Sequence, residues 1–312
     1  MINSVRNTVL SILNKNNYGY ISPSDFNLYA KQAQLEIFYE YFSEYNNILN
    51  KENTRTSGTD YADAKKALEE AVEYFATTAY LVSAPGGKFY LPQVIYNGNN
   101  YYMINRLMCY PVVVSTGVNT NVVPFNLEDA SADFVTDGVK TGDIVANSNV
   151  SLTATVLSVL SPTVLQISDD IYTLVSQDYT IFSSSTIREA EKVTHGKITM
   201  LNNSLLTAPS NNFPAYTQEF DIASIFPSSL SLFGQVQANY FRYPFDPKWT
   251  YVTLLNGEPS FDQTQPDYMD FELPIEDEVR LVVKILQYCG ISIREGEVYQ
   301  FAKVEEREDN AN

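Results

Sequence analysis

Residues 21–50 read ISPSDFNLYAKQAQLEIFYEYFSEYNNILN, and their pattern is that of one long helix. Ser22 is placed as its N-cap, with Pro23 at the first helical position and Asp25 three residues after the cap, a capping-box arrangement. At about 100° per residue, Phe26, Ala30, Ala33, Ile37, Tyr41 and Ile48 share one face. Leu28, Leu35, Phe38, Phe42 and Leu49 fall on nearly the opposite face. A surface helix carries one apolar stripe. This one carries two, divided by narrow polar seams with Gln32, Glu36 and Glu40, so it is expected to be sandwiched between partners. Those partners belong to the same chain or to a neighbouring subunit, which makes Phe26, Ile37, Phe38, Tyr41 and Phe42 the candidate subunit-interface residues.

At 312 residues the chain is long enough for a good core and for two units. The net charge of −17 argues against a nucleic-acid grip, which needs clustered Lys and Arg to displace counterions. Only 18% of residues are charged, so much of the surface is expected to be polar-uncharged or covered. The 23 Tyr and 17 Phe suit interfaces as well as cores. Cys109 and Cys289 lie far apart, which speaks against a disulfide framework and fits synthesis in a reducing cytoplasm. The N-terminal stretch lacks the pattern of a signal peptide, and Ile2, Val5, Val9, Ile12 and Leu13 instead predict a short amphipathic helix. No run reaches the length of a membrane span, and no membrane partner is expected.

After a polar loop over 51–60 punctuated by Gly58, a second helix is predicted from Tyr61 to Val82. Its apolar stripe includes Leu68, Val72, Phe75 and Val82, with Glu69, Glu70 and Glu73 behind it. Pro85-Gly86-Gly87 breaks that helix, and short strands follow around 88–92 and 101–114. Residues 142–145, 152–160, 164–167 and 179–182 are short strands separated by turn chemistry. Their even spacing predicts a small β-barrel or sandwich, with a bulge near Leu157 and Val159. The first half of 187–210 reads as helix, and Ala215–Ile225 with Gly234–Tyr243 as an antiparallel pair. The aromatic and proline-rich run 240–251 must be extended and packed. A last helix opens at Leu273-Pro274 with Glu276, Asp277 and Glu278 in its first turn, where the helix dipole favours negative charge. Its predicted stripe is Ile275, Val279, Val282, Leu286 and Cys289, and Gly290 is its predicted stop. The expectation is an α+β chain: a helical domain with a long central helix plus strands, and an inserted β-module. The expected boundaries are 1–129 and 185–302 for the two parts of the helical connector domain, 130–184 for the β-module, and 303–312 for a disordered acidic tail.

The inventory for catalysis is thin. His195, in KVTHGK, stands alone, and no Gly-x-Ser-x-Gly elbow is present to pair with it. One His and two distant Cys do not make a zinc pattern. Asp169-Asp170 reads as a turn, since no spaced acidic loop surrounds it. The expectation is a non-enzyme without metal or cofactor.

Four runs carry a resemblance: 17–42 (NYGYISPSDFNLYAKQAQLEIFYEYF), 188–216 (REAEKVTHGKITMLNNSLLTAPSNNFPAY), 240–251 (YFRYPFDPKWTY) and 273–302 (LPIEDEVRLVVKILQYCGISIREGEVYQFA). They resemble a ring protein of the head-to-tail connector, or tail barrel, of crAss-like bacteriophages. The resemblance covers both flanks of the β-module, so most of the chain. It implies a structural virion protein, made in the host cytoplasm, that forms a closed homo-oligomeric ring of twelve copies. Such a ring stacks on the portal or on other tail ring proteins, and double-stranded DNA passes through it without specific binding. The acidic side chains offered to its lumen are Glu69, Glu70 and Glu73. Two alternatives from other classes are a glycan- or host-surface-binding tail module, using the β-module and the aromatic runs, and a glycan-degrading enzyme built on carboxylates.

Overall fold

A computed structural model describes residues 1–15, 21–53, 62–96, 98–255 and 257–293. Of the polar loop expected over 51–60, residues 51–53 are helical instead, and 54–60, like the tail 303–312, fall outside the described residues. Along the chain come helices α1 (Ile2–Lys15), α2 (Pro23–Asn53) and α3 (Ala62–Glu73), then strands β1 (Ala76–Tyr80), β2 (Val82–Ala84), β3 (Lys88–Tyr90) and β4 (Tyr101–Cys109). Next are β5 (Val113–Val118), β6 (Asn121–Val123), β7 (Asn126–Glu128), β8 (Ile144–Asn147), β9 (Leu152–Ser161), β10 (Val164–Ile167) and β11 (Asp178–Phe182). Then follow β12 (Arg188–Lys192), α4 (His195–Asn202), β13 (Ala215–Glu219), β14 (Ile222–Phe226) and β15 (Val236–Arg242). The described chain ends with β16 (Tyr251–Thr253), β17 (Pro259–Phe261) and α5 (Glu278–Ile293). The fold is mixed α+β. It divides into one unit of Met1–Phe75 with Pro244–Asn312 and a second of Ala76–Tyr243, so the boundaries expected at 129 and 184 fall inside the second unit.

In the first unit α2 starts as its sequence requires: the Asp25 amide donates to Ser22 Oγ at 3.2 Å, and Ser22 Oγ donates to the Asp25 carboxylate at 2.6 Å. α2 packs on α3 and α5, and α1 packs on α5. The expected stripe of α1 is in place, with Ile2, Val5, Val9 and Leu13 buried. The polar seam of α2 is not a solvent seam. Buried Lys284 of α5 lies 2.8 Å from Glu40 and 3.2 Å from Glu36, Tyr288 donates to Glu36 at 3.1 Å, and Arg280 pairs with Glu40 and Glu44. Higher on the helix, Gln34 donates to the Phe245 carbonyl at 2.7 Å and accepts from the Glu272 amide at 2.9 Å. Asn27 likewise brackets both backbone groups of Trp249, which is buried under the Arg6 guanidinium 3.8 Å above its ring. Run 240–251 is packed in part: Tyr240 and Trp249 are buried, as expected, whereas Phe245 and Tyr251 are exposed.

Three helix expectations are corrected. The second helix stops at Glu73, and Ala76–Tyr80 is a strand, because its Thr-Thr core completes a five-residue ladder with β15. Arg188–Lys192, read as helix, is a strand held by Cys109, Met108 and Leu107 of β4. α5 continues through Gly290, and its buried stripe is Leu281, Val282, Ile285, Leu286 and Cys289, while Ile275 and Val279 face outward.

The second unit holds two sheets, ordered β1-β15-β4-β12-β13-β14-β3-β2 and β5-β11-β8-β9-β10-β7-β6. In each, the two outermost strands are neighbours in the chain. Only Leu81 separates β1 from β2, and its amide bonds the Val236 carbonyl at 2.9 Å. Only Asn119 and Thr120 separate β5 from β6. One bent strand therefore serves both edges, and the seven-stranded sheet curls into a nearly closed barrel. Its bend is held by buried Asn119, which donates to the Leu174 carbonyl at 2.8 Å and accepts from the Gln177 amide at 2.7 Å. The expected bulge is real: β10 pairs Gln166 with Ser158 and Ile167 with Val156, skipping Leu157.

This barrel is inserted, but it begins at Val113 rather than near residue 130, because β5 pairs with β11, β7 with β10, and β6 with β7. Its host is a sheet rather than a helical domain. β4 and β12 pair directly, Cys109 opposite Arg188, and the Ser183 amide bonds the Val112 carbonyl at 3.0 Å, so the ends of the insert meet. The expected pairing of Ala215–Ile225 with Gly234–Tyr243 is also replaced: β13 and β14 form a hairpin with each other, while β15 lies between β1 and β4.

The two sheets meet through Ile144, Ala146 and Phe182 on one side and Tyr110 and Phe233 on the other. Gly234 lets them approach: its φ is +82°, and a Cβ there would stand 2.5 Å from Ala146 Cβ. Gly234→Ala is expected to cost about 2–4 kcal/mol in denaturant unfolding, combining left-handed backbone and overpacking. Gly86→Ala, at the same φ of +82° but in open space, should lose only the backbone share, about 1–2 kcal/mol. Equal losses at the two sites would show that the sheet contact is not tight.

Inside the barrel Asp129 is buried and accepts from Tyr179 Oη at 2.7 Å and from the Ser131 amide and hydroxyl at 2.9 and 2.6 Å. Burial works to raise its pKa, but the bonds from Ser131, Tyr179 and the Val118 amide outweigh it and hold the carboxyl below its ordinary 3.8. Its contribution to stability is therefore complete above that value and is lost as pH falls through the lower folded-state value. Urea midpoints measured from pH 5 to pH 2 should fall less steeply in Asp129→Asn than in the unaltered chain. Identical slopes would remove Asp129 from the acid response.

Candidate interaction surface

The five side chains offered as a subunit interface are core of the first unit. Phe26, Ile37, Phe38, Tyr41 and Phe42 are all buried within the single chain. Phe38 packs 4.9 Å from both Phe42 and Phe75, and the Tyr41 hydroxyl donates to the Asp277 carboxylate. Both stripes of α2 find much of their cover in its own chain, and of the second stripe Leu28 is left exposed. The lumen candidates sit on α3, with Glu70 and Glu73 exposed and Glu69 half-buried; Lys66 lies 4.0 Å from Glu70.

His195 is exposed at the start of α4, 3.5 Å from Glu219. Cys109 and Cys289 are buried, and burial pushes both thiols up to about 12, which keeps them protonated and unreactive. Among the described residues no three His, Cys, Asp or Glu gather as a metal site. Gly86-Gly87 is the turn of the β2–β3 hairpin, with φ of +82° and +72°.

What the second unit does present is an apolar arm. α4 and the segment after it cross from β12 to β13, a parallel pair joined only at Glu191–Ala215 and Lys192–Tyr216. The arm is anchored by Ile198, buried with Val193 and Ala215, and its helix is capped by Thr194, whose Oγ1 accepts from the Lys197 amide. Beyond Asn202 the chain does not bury its hydrophobes. Leu205, Leu206 and Phe213 are 103%, 94% and 81% exposed. They are nonetheless held in place. The Thr207 and Ala208 amides bond the Ser204 carbonyl, Ser210 and Phe213 exchange backbone bonds at 3.2 and 3.0 Å, and Ser229 fastens Asn211 at 2.9 Å. Together with Leu201, Pro209 and Glu191 they line an open groove of about 480 Å³. Exposed large hydrophobes on stiff turns are what partner-binding surfaces are made of.

Beside the start of α4, the β13–β14 turn repeats the theme. Phe220 is 89% exposed and adopts φ of +50°, a conformation that a bulky residue rarely takes. The Tyr101 hydroxyl donates to its carbonyl at 3.1 Å and pins the turn. Sequence periodicity has no template for such residues. The available signal was Leu205-Leu206 standing between Asn202-Asn203-Ser204 and Thr207, an apolar pair in a polar loop.

Charge sharpens the picture. The barrel insert, 113–182, has eight acidic residues and one lysine, net −7. The rest of the second unit has six basic and four acidic residues, net +2, and this is the part that bears the arm. That leaves −12 of the chain's −17 to the sequence of the first unit.

No protein-family description matches this chain, and no curated protein matches it either.

Because Phe220 covers nothing in its own chain while holding a left-handed backbone, Phe220→Gly is expected to raise unfolding stability by about 1 kcal/mol. A clear loss of stability would show that the ring packs within the chain after all.

Proposed function

We propose that this chain is a structural virion subunit forming a closed ring, of twelve copies, in the portal–tail connector of a short-tailed crAss-like phage. The observation that carries the reading is the stiff arm exposing Leu205, Leu206 and Phe213, which costs solubility unless another surface covers it. The four runs resembling connector ring proteins support it from the sequence side. In this reading α2 is the spine of its unit, locked to α5 by the ion cluster, and assembly contacts come from other surfaces.

Twelve copies would bring −17 × 12, or −204, formal charges around a DNA channel. Exposed Glu70 and Glu73, with Glu69 beside them, are available to face the bore. Carboxylates there repel the duplex over a Debye length of about 8 Å and keep it from sticking, whereas a lysine-rich bore would hold it by counterion release. The alternative of a glycan-binding module would use exposed aromatic platforms on the aromatic run, where Phe245 and Tyr251 are exposed, and on the barrel insert. Among the described residues its exposed large hydrophobes are aliphatic apart from Phe125, which favours protein contacts.

Electron microscopy of the purified chain at high concentration is expected to show closed rings, and filter binding at moderate salt to show no retention of duplex DNA. A monomer at every concentration, or sub-micromolar DNA binding, would overturn the conduit reading.

A further inference from the structure

In the first unit, Trp249 is fixed from several sides. Asn3 accepts from its indole Nε1 at 3.1 Å, Asn27 holds both its backbone groups at 2.8 and 3.2 Å, and the Arg6 guanidinium lies over its ring. On this fixed ring Tyr251 is stacked, 5.6 Å between centroids and 21° between planes, yet it is 44% exposed. Tyr251 forms one wall of an open pocket of about 300 Å³ whose other walls are polar: Ser24, Asn27, Lys248, Gln265 and Asp267 among them. Lys248 and Asp267, both exposed, are paired with each other, so ammonium and carboxylate stand side by side without net charge. Lys248 is further fixed by backbone bonds exchanged with Met269 at 2.8 and 3.3 Å, and Gln265 Nε2 donates to Asp262 at 2.8 Å.

From this arrangement we infer that the Tyr251 pocket binds a sugar ring of a neutral glycan. A sugar ring has an apolar C–H face and a rim of hydroxyls, each of which both donates and accepts. The exposed tyrosine is a flat apolar platform with a wettable tip. A hydroxyl placed at the ion pair accepts from Lys248 while donating to Asp267, and the Ser24 hydroxyl and Gln265 amide extend the same pattern. An ionic ligand gains little there, because each ion stands beside its opposite. An apolar side chain finds one aromatic wall and leaves the polar ones uncovered. Because the platform is already held by Trp249 and its partners, little ordering cost is left for binding. The site lies wholly in the first unit and does not rest on the ring reading.

The chain has one tryptophan, and it touches Tyr251, so its fluorescence reports on this pocket. The full chain is titrated with short neutral oligosaccharides of glucose, galactose, mannose and N-acetylglucosamine, with oligogalacturonate and a proline-rich peptide as comparators. A saturable emission change of millimolar or tighter affinity is expected for at least one neutral sugar. Tyr251→Ala and Asp267→Asn should each weaken it about tenfold with circular dichroism unchanged. Tyr251→Phe, which keeps the ring, and Leu206→Ser, in the distant arm sequence, should leave binding in place. No saturable change with any neutral sugar would overturn the site. So would binding that survives both Tyr251→Ala and Asp267→Asn, or tighter binding of the oligogalacturonate or the peptide. Ring formation is read separately by microscopy, so either result can fail without the other.

Discussion

The two edge strands of each sheet of the second unit are halves of a single bent strand, and this constraint limits where each sheet can take on another chain. Edge strands of three to six residues offer only short rows of unpaired amides. With β1–β2 and β5–β6 occupying the edges, the weak place in the larger sheet is the parallel seam of β12 and β13, joined at two residue pairs. Parallel neighbours need a crossover connection, and here that crossover is α4 with its arm. The groove therefore lies where closure is thinnest. Ile198 anchors the crossover through Val193 and Ala215, while Leu205 and Leu206 beyond α4 are left exposed.

The first unit solves a different problem, that of fixing a long helix whose two faces are both apolar. Hydrophobic burial is non-directional, so Phe26, Ile37, Phe38 and Phe42 do not by themselves set the rotation of α2. The polar seam does. Glu36 and Glu40 take Lys284 and Arg280 from α5, and Gln34 and Asn27 take backbone groups of the segment 245–272. Burial alone would lower the Lys284 pKa, but Glu40 and Glu36 outweigh it and raise it, so the lysine stays charged. Ion clusters of this kind add little net stability over an apolar replacement, while removing one partner costs about 3–5 kcal/mol. Their effect is to penalise any other register of the two helices.

Much of this was legible from the residues. The Ser22–Asp25 cap, α1, the strands over 164–167 and 179–182 and the bulge at Leu157 are local matters, and local pattern found them. Errors arose where a distant segment decides. Arg188-Glu189-Ala190-Glu191-Lys192 has helical preference, yet Cys109, Met108 and Leu107 supply a ladder that outweighs it. The two stripes of α2 were visible, but a stripe does not say whether its cover comes from its own chain. Ile275 and Val279 continue the spacing of a buried stripe, although the turn that carries them stands outside the core.

Charge then explains why exposed hydrophobes need not mean indiscriminate aggregation. Copies of a chain at −17 repel one another, and apolar patches set in acidic surfaces are kept apart until the geometry is right. Only the part of the second unit outside the insert reverses sign, at net +2. Like-on-like approaches of the acidic barrel or of the first unit are penalised. Specificity is a difference between such terms, and charge contributes more to it, and to the rate of encounter, than to final affinity.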